Sequence, residues 1–211
     1  MVLEQIPKAA GFIYALVMIA LGAYLLYSGR WTRRIGYAFL VLTTALGFLI
    51  FAPVIPFQFQ ALVLGNAQAL GGPPAIALVG LAVVLLLSFL FGRWYCGYFC
   101  PVGALQELAY AAPVPKYRVQ NKRLTTGVRL AFFVLFLLAA GIFSFGLLSL
   151  FGIRDFFHLA ASAASLVFLA ILGVSLALYR PFCRLVCPFG ALAGAIATRS
   201  AFKIRRTPAC I

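Results

Sequence analysis

Arg93-Trp94-Tyr95-Cys96-Gly97-Tyr98-Phe99-Cys100-Pro101-Val102-Gly103-Ala104-Leu105 and Arg180-Pro181-Phe182-Cys183-Arg184-Leu185-Val186-Cys187-Pro188-Phe189-Gly190-Ala191-Leu192 align without a gap. Arg, both Cys, Pro, Gly, Ala and Leu coincide in the two copies. Each copy follows an apolar block, so the pair reads as the ends of two parallel-oriented repeats. The spacing in each is Cys-x3-Cys-Pro. On helical backbone, residues i and i+4 share a face, so both sulfurs of a pair can address one centre. The proline after each second cysteine lacks an N–H and restricts how the chain continues. Gly103 and Gly190 are expected to let the backbone come close to a bound group.

Outward from these segments the chain is apolar: 65% of its 211 residues are hydrophobic and 9% are charged. A soluble domain carries roughly 25% charged residues, too many to be matched here. The expected fold is an all-α membrane protein of about five transmembrane helices. The expected spans are Ala10 to Tyr27, Ile35 to Pro53, Ala75 to Phe91, Leu130 to Leu150 and Leu159 to Tyr179. Each is near the ~20 residues that ~30 Å of hydrocarbon requires. Arg30, Arg33 and Arg34 after the first block read as a stop, not as the cleavage site of a leader. The uncharged connection from Val54 to Gly72 is expected to be a loop on the outer surface, with a re-entrant segment as the alternative. Residues 1–206 form one polytopic domain with motifs at 93–105 and 180–192, and 207–211 form a tail.

Charge fixes the expected orientation. The net charge is +14. Fifteen of the 17 basic residues fall in the segments after spans one, three and five; only Lys8 and Arg154 fall on the other side. The positive-inside rule then puts the N-terminus outside, and the C-terminus and both cysteine motifs on the cytoplasmic side of the inner (cytoplasmic) membrane. Basic residues confined to short loops are topology determinants, which argues against a nucleic-acid groove.

Two cysteine pairs on one side supply four thiolates, the complement a cubane 4Fe–4S cluster needs. Such a cluster with its thiolates is net negative, and Arg93, Arg180 and Arg184 would lower the cost of holding it near a bilayer. One shared cluster is favoured over one per motif. A four-cysteine zinc site, a copper site, and plain buried cysteines are the competing readings. A disulfide is disfavoured on a reducing side. His158, the only histidine, and Glu107, on a short interfacial helix from Pro101 to Ala111, are expected to be an ordinary interfacial histidine and a solvated carboxylate. No acid, base or nucleophile constellation is visible, which argues against hydrolysis or group transfer.

From span three onward the doubled Cys-x3-Cys-Pro-x-Gly-Ala-Leu segment resembles the membrane polyferredoxin family, with its NapH-type, NosR-type and CcoG-type members. The resemblance implies a membrane-bound iron–sulfur protein that moves electrons, with Cys96, Cys100, Cys183 and Cys187 as ligands. It implies other redox subunits or a separate ferredoxin as partners, and admits a quinone. Members of that family continue into a cytoplasmic ferredoxin domain. The segment Arg205-Arg206-Thr207-Pro208-Ala209-Cys210-Ile211 resembles only the opening of one. The expected function is electron transfer between a cytoplasmic or quinol donor and a respiratory or metal-assembly partner, within a redox complex more than as a stand-alone enzyme. A thiolate-based copper reductase or carrier, a thiol–disulfide oxidoreductase and a structural anchor are the alternatives.

Overall fold

A computed structural model describes residues 17–18, 20–25, 27–50, 54–65, 74–92, 94–117, 121–144 and 146–200. Among these residues there is no β-strand; one isolated parallel bridge joins Tyr117 to Leu178. The helices are α1 (Arg33–Ile50), α2 (Val54–Val63), α3 (Pro74–Phe91), α4 (Trp94–Tyr98), α5 (Pro101–Tyr110), α6 (Lys122–Phe143), α7 (Ile153–Phe157), α8 (Ala163–Ala177) and α9 (Pro188–Ala197). A 3-10 helix spans Leu147–Phe151 and a π-helical turn spans Phe182–Val186.

Local chemistry sets the ends of these elements. Pro74 opens α3, where a missing N–H costs nothing, and Gly92 at φ +72 stops it. Asn121 caps α6 by accepting a hydrogen bond from the Leu124 N–H at 3.2 Å, and Ser144 closes it in a left-handed conformation. Ser162 caps α8 through the Ser165 N–H at 3.1 Å. At Gly152 (φ +56) an added Cβ would lie 2.0 Å from the Ala164 carbonyl.

Three expectations are corrected. Span four, placed at 130–150, is a helix over Lys122–Phe143, because Asn121 starts the helix inside the basic segment. The first part of the connection expected to be a loop from Val54 to Gly72 is helix: α2 buries Phe59, Gln60 and Ala61 against the other helices, and residues 66–72 lie outside the described residues. The helix predicted over 101–111 is present as Pro101–Tyr110, but it is not interfacial, since Val102, Ala104 and Gln106 are buried between α1 and α8. Of span one, residues 20–25 are helical; most of its first half lies outside the described residues.

The core is aromatic. Phe48, Phe157 and Phe168 pack in sequence, with ring centroids 4.9 Å and 6.4 Å apart. Phe151 bridges Phe132 and Phe182. Gln60 accepts a hydrogen bond from the buried Leu148 N–H at 2.8 Å. Outward faces are apolar instead: Leu49, Val79, Leu130, Ile142 and Leu166 are all more than 60% exposed. Among the described residues one helix, over Arg123–Ile142, is by itself long and apolar enough to cross a bilayer; shorter apolar helices cover 77–90, 163–177 and 188–197.

Candidate iron–sulfur site

Both cysteine motifs are built as hairpins that enter the bundle and return. After Gly92 turns the chain, α4 leans on α1, and the Thr43 hydroxyl donates to the Tyr98 carbonyl at 2.8 Å. Pro101 then packs on Gly47, where an added Cβ would lie 2.5 Å from the proline ring. Helix α5 returns along α1 to bring Tyr110 against Tyr179, ring centroids 5.2 Å apart. There the Lys116 ammonium donates to the carbonyls of Tyr110, Ala112 and Leu176, tying the end of α5 to the end of α8. The second hairpin begins just beyond α8, at Arg180 (φ +48). Its π-helical turn packs on α6, where the Arg129 guanidinium donates to the Arg184 carbonyl at 2.9 Å. Helix α9 returns between α3 and α6, and Ser200 arrives beside Gly92. Each hairpin therefore ends where the other begins.

The second cysteine, the proline and the glycine that coincide in the two motifs have a common structural explanation. A residue before proline is pushed to extended backbone, and Cys100 (φ −86, ψ 118) and Cys187 (φ −64, ψ 116) are extended. Each caps a helix whose first residue is the proline. The expectation of both cysteines on one continuous helical face is thereby corrected: the first cysteine lies in a short helical turn, the second at the start of the next helix. The second sulfur sits at a helix N-terminus, where free backbone N–H groups point toward it. Cys187 Sγ accepts the Gly190 N–H at 3.3 Å. The shared glycines bring chain to chain: an added Cβ would lie 2.0 Å from the Cys96 carbonyl at Gly103, and 2.6 Å from the Cys183 carbonyl at Gly190.

Cys96, Cys100, Cys183 and Cys187, two from each hairpin, line one cavity of about 320 Å³. All four are free thiols; Cys187 is buried and the other three are half-buried. Arg180, Arg184, Tyr179, Phe189, Gly190 and Pro56 of α2 complete the lining, with no carboxylate among them. Among the described residues no three Cys, His, Asp or Glu side chains converge closely enough to hold one metal ion. At ~30 Å³ per water the cavity equals about ten water molecules. Four sulfurs around such a space, with arginines and no acid, suit a polynuclear anionic centre better than zinc or copper, whose thiolate ligands close on a point at about 2.3 Å for zinc.

Comparison with known proteins bears on the same two segments. Residues 74–120 and 161–207 each match the family model described as a 4Fe-4S binding domain. The two matches support a 4Fe–4S cluster as the cofactor of this chain. The first match of the 4Fe–4S domain takes in α3, α4 and α5, and the second α8, the π-helical turn and α9. The chain is 29% identical over 149 residues to the Escherichia coli (strain K12) protein named "Putative electron transport protein YccM", covering 63% of this chain and 42% of that one. It is 28% identical over 146 residues to the uncharacterized protein MJ0750 of Methanocaldococcus jannaschii, covering 62% and 59%, and 30% identical over 128 residues to MJ0749 of the same organism, covering 58% and 48%. The chain thus spans about half the length of the curated relatives it matches. These likenesses support iron–sulfur electron transfer. No solved structure matches the chain.

The structure gathers the four predicted cysteines with Arg180 and Arg184; Arg93, the third predicted arginine, lies outside the described residues, as does Cys210. His158 is exposed at the end of α7 and does not line the cavity. The expectation for Glu107 is corrected: its carboxylate receives the Arg180 Nε–H at 2.6 Å, with side chains 25% and 12% exposed. Sequence reasoning missed Gln106. It is fully buried, its Nε2 donates to Cys183 Sγ at 3.7 Å, and its Oε1 accepts from the Phe182 N–H at 3.2 Å. The available signal was two adjacent polar residues, Gln106-Glu107, in an otherwise apolar run.

Proposed function

We propose that this chain is a membrane-embedded electron-transfer protein of the NapH, NosR and CcoG type, in which Cys96, Cys100, Cys183 and Cys187 hold a single shared 4Fe–4S cluster. The observation that carries this reading is the one cavity lined by both cysteine pairs and by Arg180 and Arg184. A 4Fe–4S cluster accepts and releases one electron at a time. The chain's own part is to hold four thiolates in place, offset their charge with guanidinium groups, and keep water from the sulfurs with Phe189 and the enclosing helices.

Membrane placement rests on exposed apolar surface. Large side chains on the outward faces of α1, α3, α6 and α8 meet solvent, while Thr43, Ser88, Gln106 and Ser175 are buried. That is the reverse of a soluble domain, and contiguous exposed apolar surface marks a membrane or partner contact. About five transmembrane spans then fit the chain, with the N-terminus outside and the C-terminus cytoplasmic, in the inner (cytoplasmic) membrane. Both hairpins dip into the bundle from the cytoplasmic end. Electrons pass between a cytoplasmic donor, such as a separate ferredoxin, or a quinol, and a respiratory or metal-assembly partner subunit.

Anaerobic purification from membranes, followed by iron and acid-labile sulfide analysis and EPR of the reduced protein, tests the reading. Four irons and four sulfides per chain are expected. Cys96→Ser and Cys183→Ser each abolish the whole signal if one site draws on both hairpins. Half the iron surviving in each variant would instead indicate two centres, and iron-free protein from anaerobic membranes would refute the assignment.

A further inference from the structure

The two hairpins share a backbone plan but differ in what surrounds the sulfurs. In the gap-free alignment of the repeats, Gln106 and Glu107 correspond to Ala193 and Gly194. The first pair carries an amide and a carboxylate; the second carries nothing that can reach across. Both polar side chains of the first repeat act on the second. Gln106 Nε2 donates to Cys183 Sγ at 3.7 Å, and its Oε1 holds the Phe182 N–H, fixing the backbone one residue before that ligand. Glu107 accepts from Arg180 Nε at 2.6 Å, while the same guanidinium reaches the Gly97 carbonyl at 3.4 Å. Arg180 is a non-glycine residue at φ +48, a conformation that surrounding contacts must hold.

We infer that Gln106 is a potential-tuning residue for the cluster: it is the first repeat's side chain that donates to a cysteine sulfur of the second, while Glu107 holds the Arg180 guanidinium in place between the two hairpins. This rests on the iron–sulfur reading above. A hydrogen bond donated to a ligand sulfur favours the more negative, reduced centre, and such bonds are among the levers that set cluster potentials. Gln106 is completely buried, so water does not compete for its amide, and the low local dielectric strengthens the interaction.

The test is an EPR-monitored redox titration of the purified holoprotein. Gln106→Met keeps the volume and removes the donor. It is expected to disfavour reduction by roughly tenfold, a fall of 59 mV for a one-electron couple. Thr43→Val removes a buried hydrogen bond to the Tyr98 carbonyl without touching a sulfur, and its potential should stay at the wild-type value. A second measurement needs no variant. In wild-type protein carrying isotopically labelled glutamine side-chain nitrogen, pulsed EPR of the reduced cluster should show coupling to that nitrogen. An unshifted potential in a cluster-loaded Gln106→Met protein, or no nitrogen coupling in the wild type, overturns the assignment. Loss of the cluster in Gln106→Met alone, without nitrogen coupling in the wild type, makes Gln106 a structural residue and overturns it too. A wild-type protein without any cluster sinks the iron–sulfur reading itself, a result distinct from all of these.

Discussion

Replacing Gly103 by alanine should remove the cluster, and the reason is a distance. The new methyl would lie 2.0 Å from the Cys96 carbonyl oxygen, where real Cβ contacts do not fall below 3.0 Å. Backbone must therefore move by about 1 Å, and the backbone in question carries one ligand on each side, Cys96 before and Cys100 at the helix start. Functional constellations tolerate about 0.5 Å of misplacement. At Gly190 the corresponding distance is 2.6 Å, so a shift of about 0.5 Å suffices and Gly190→Ala should keep part of its iron. Overpacking costs roughly 1–3 kcal/mol, and the ~1 kcal/mol gained in helix propensity does not cancel it at Gly103. Gly127→Ala and Gly173→Ala place a methyl with nothing within 4 Å; they should keep full iron and be stabilised by up to ~1 kcal/mol. Iron and acid-labile sulfide per chain, after parallel anaerobic preparations, give the order Gly173→Ala, Gly190→Ala, Gly103→Ala from most to least. Wild-type iron in Gly103→Ala would show that the hairpin does not depend on this contact.

Three further substitutions have defined outcomes. Glu107→Gln strips Arg180 of its carboxylate partner in a half-buried site and should cost about 1.5–3 kcal/mol, seen as a lower thermal midpoint in detergent; an unchanged midpoint would mean the ion pair is idle. Gln60→Leu leaves the buried Leu148 N–H without an acceptor, so a loss of about 1–3 kcal/mol is predicted in the same assay, and neutrality would count against the contact. Asn121→Ala removes the cap of α6 and should cost about 1 kcal/mol, while Asn121→Ser should recover most of it; equal behaviour of the two would argue that the helix starts elsewhere.

Some of this was legible in the sequence because proline and glycine announce themselves. The third apolar block, from Ala75 to Phe91, is α3 almost to the residue, bounded by Pro74 and Gly92. The four cysteines share a site because their repeats do. Other features were hidden by rules that point the other way. Lys122, Arg123 and Arg129 read as loop, since basic residues were assigned to the short connections between apolar spans, yet Asn121 and the bond from Arg129 to the Arg184 carbonyl put them on α6. The uncharged stretch after Val54 carries no periodic signal strong enough to predict that α2 would be packed inside the bundle, with Pro56 reaching the cysteine cavity. The i, i+4 argument for the cysteines gave the right convergence for an incomplete reason, because it ignored how proline reshapes the residue before it.

The arrangement also explains why the motif must be doubled. One hairpin offers two sulfurs and no closed cavity. The second supplies the other two, and each hairpin ends against the start of its twin, at Tyr110 with Tyr179 and at Ser200 with Gly92. Each half is thus anchored partly by its twin, beside its own contacts with α1 or α6. A shared centre would couple that mutual anchoring to ligand deprotonation and metal binding, as metal sites couple to folding in general. Two repeats locked in this way are free to diverge wherever the backbone plan is not at stake. They diverge at Gln106-Glu107 against Ala193-Gly194, one turn beyond the glycine that both must keep. The shared backbone plan thus makes the cavity, and the divergent Gln106 is the side chain that reaches from one repeat to a sulfur of the other.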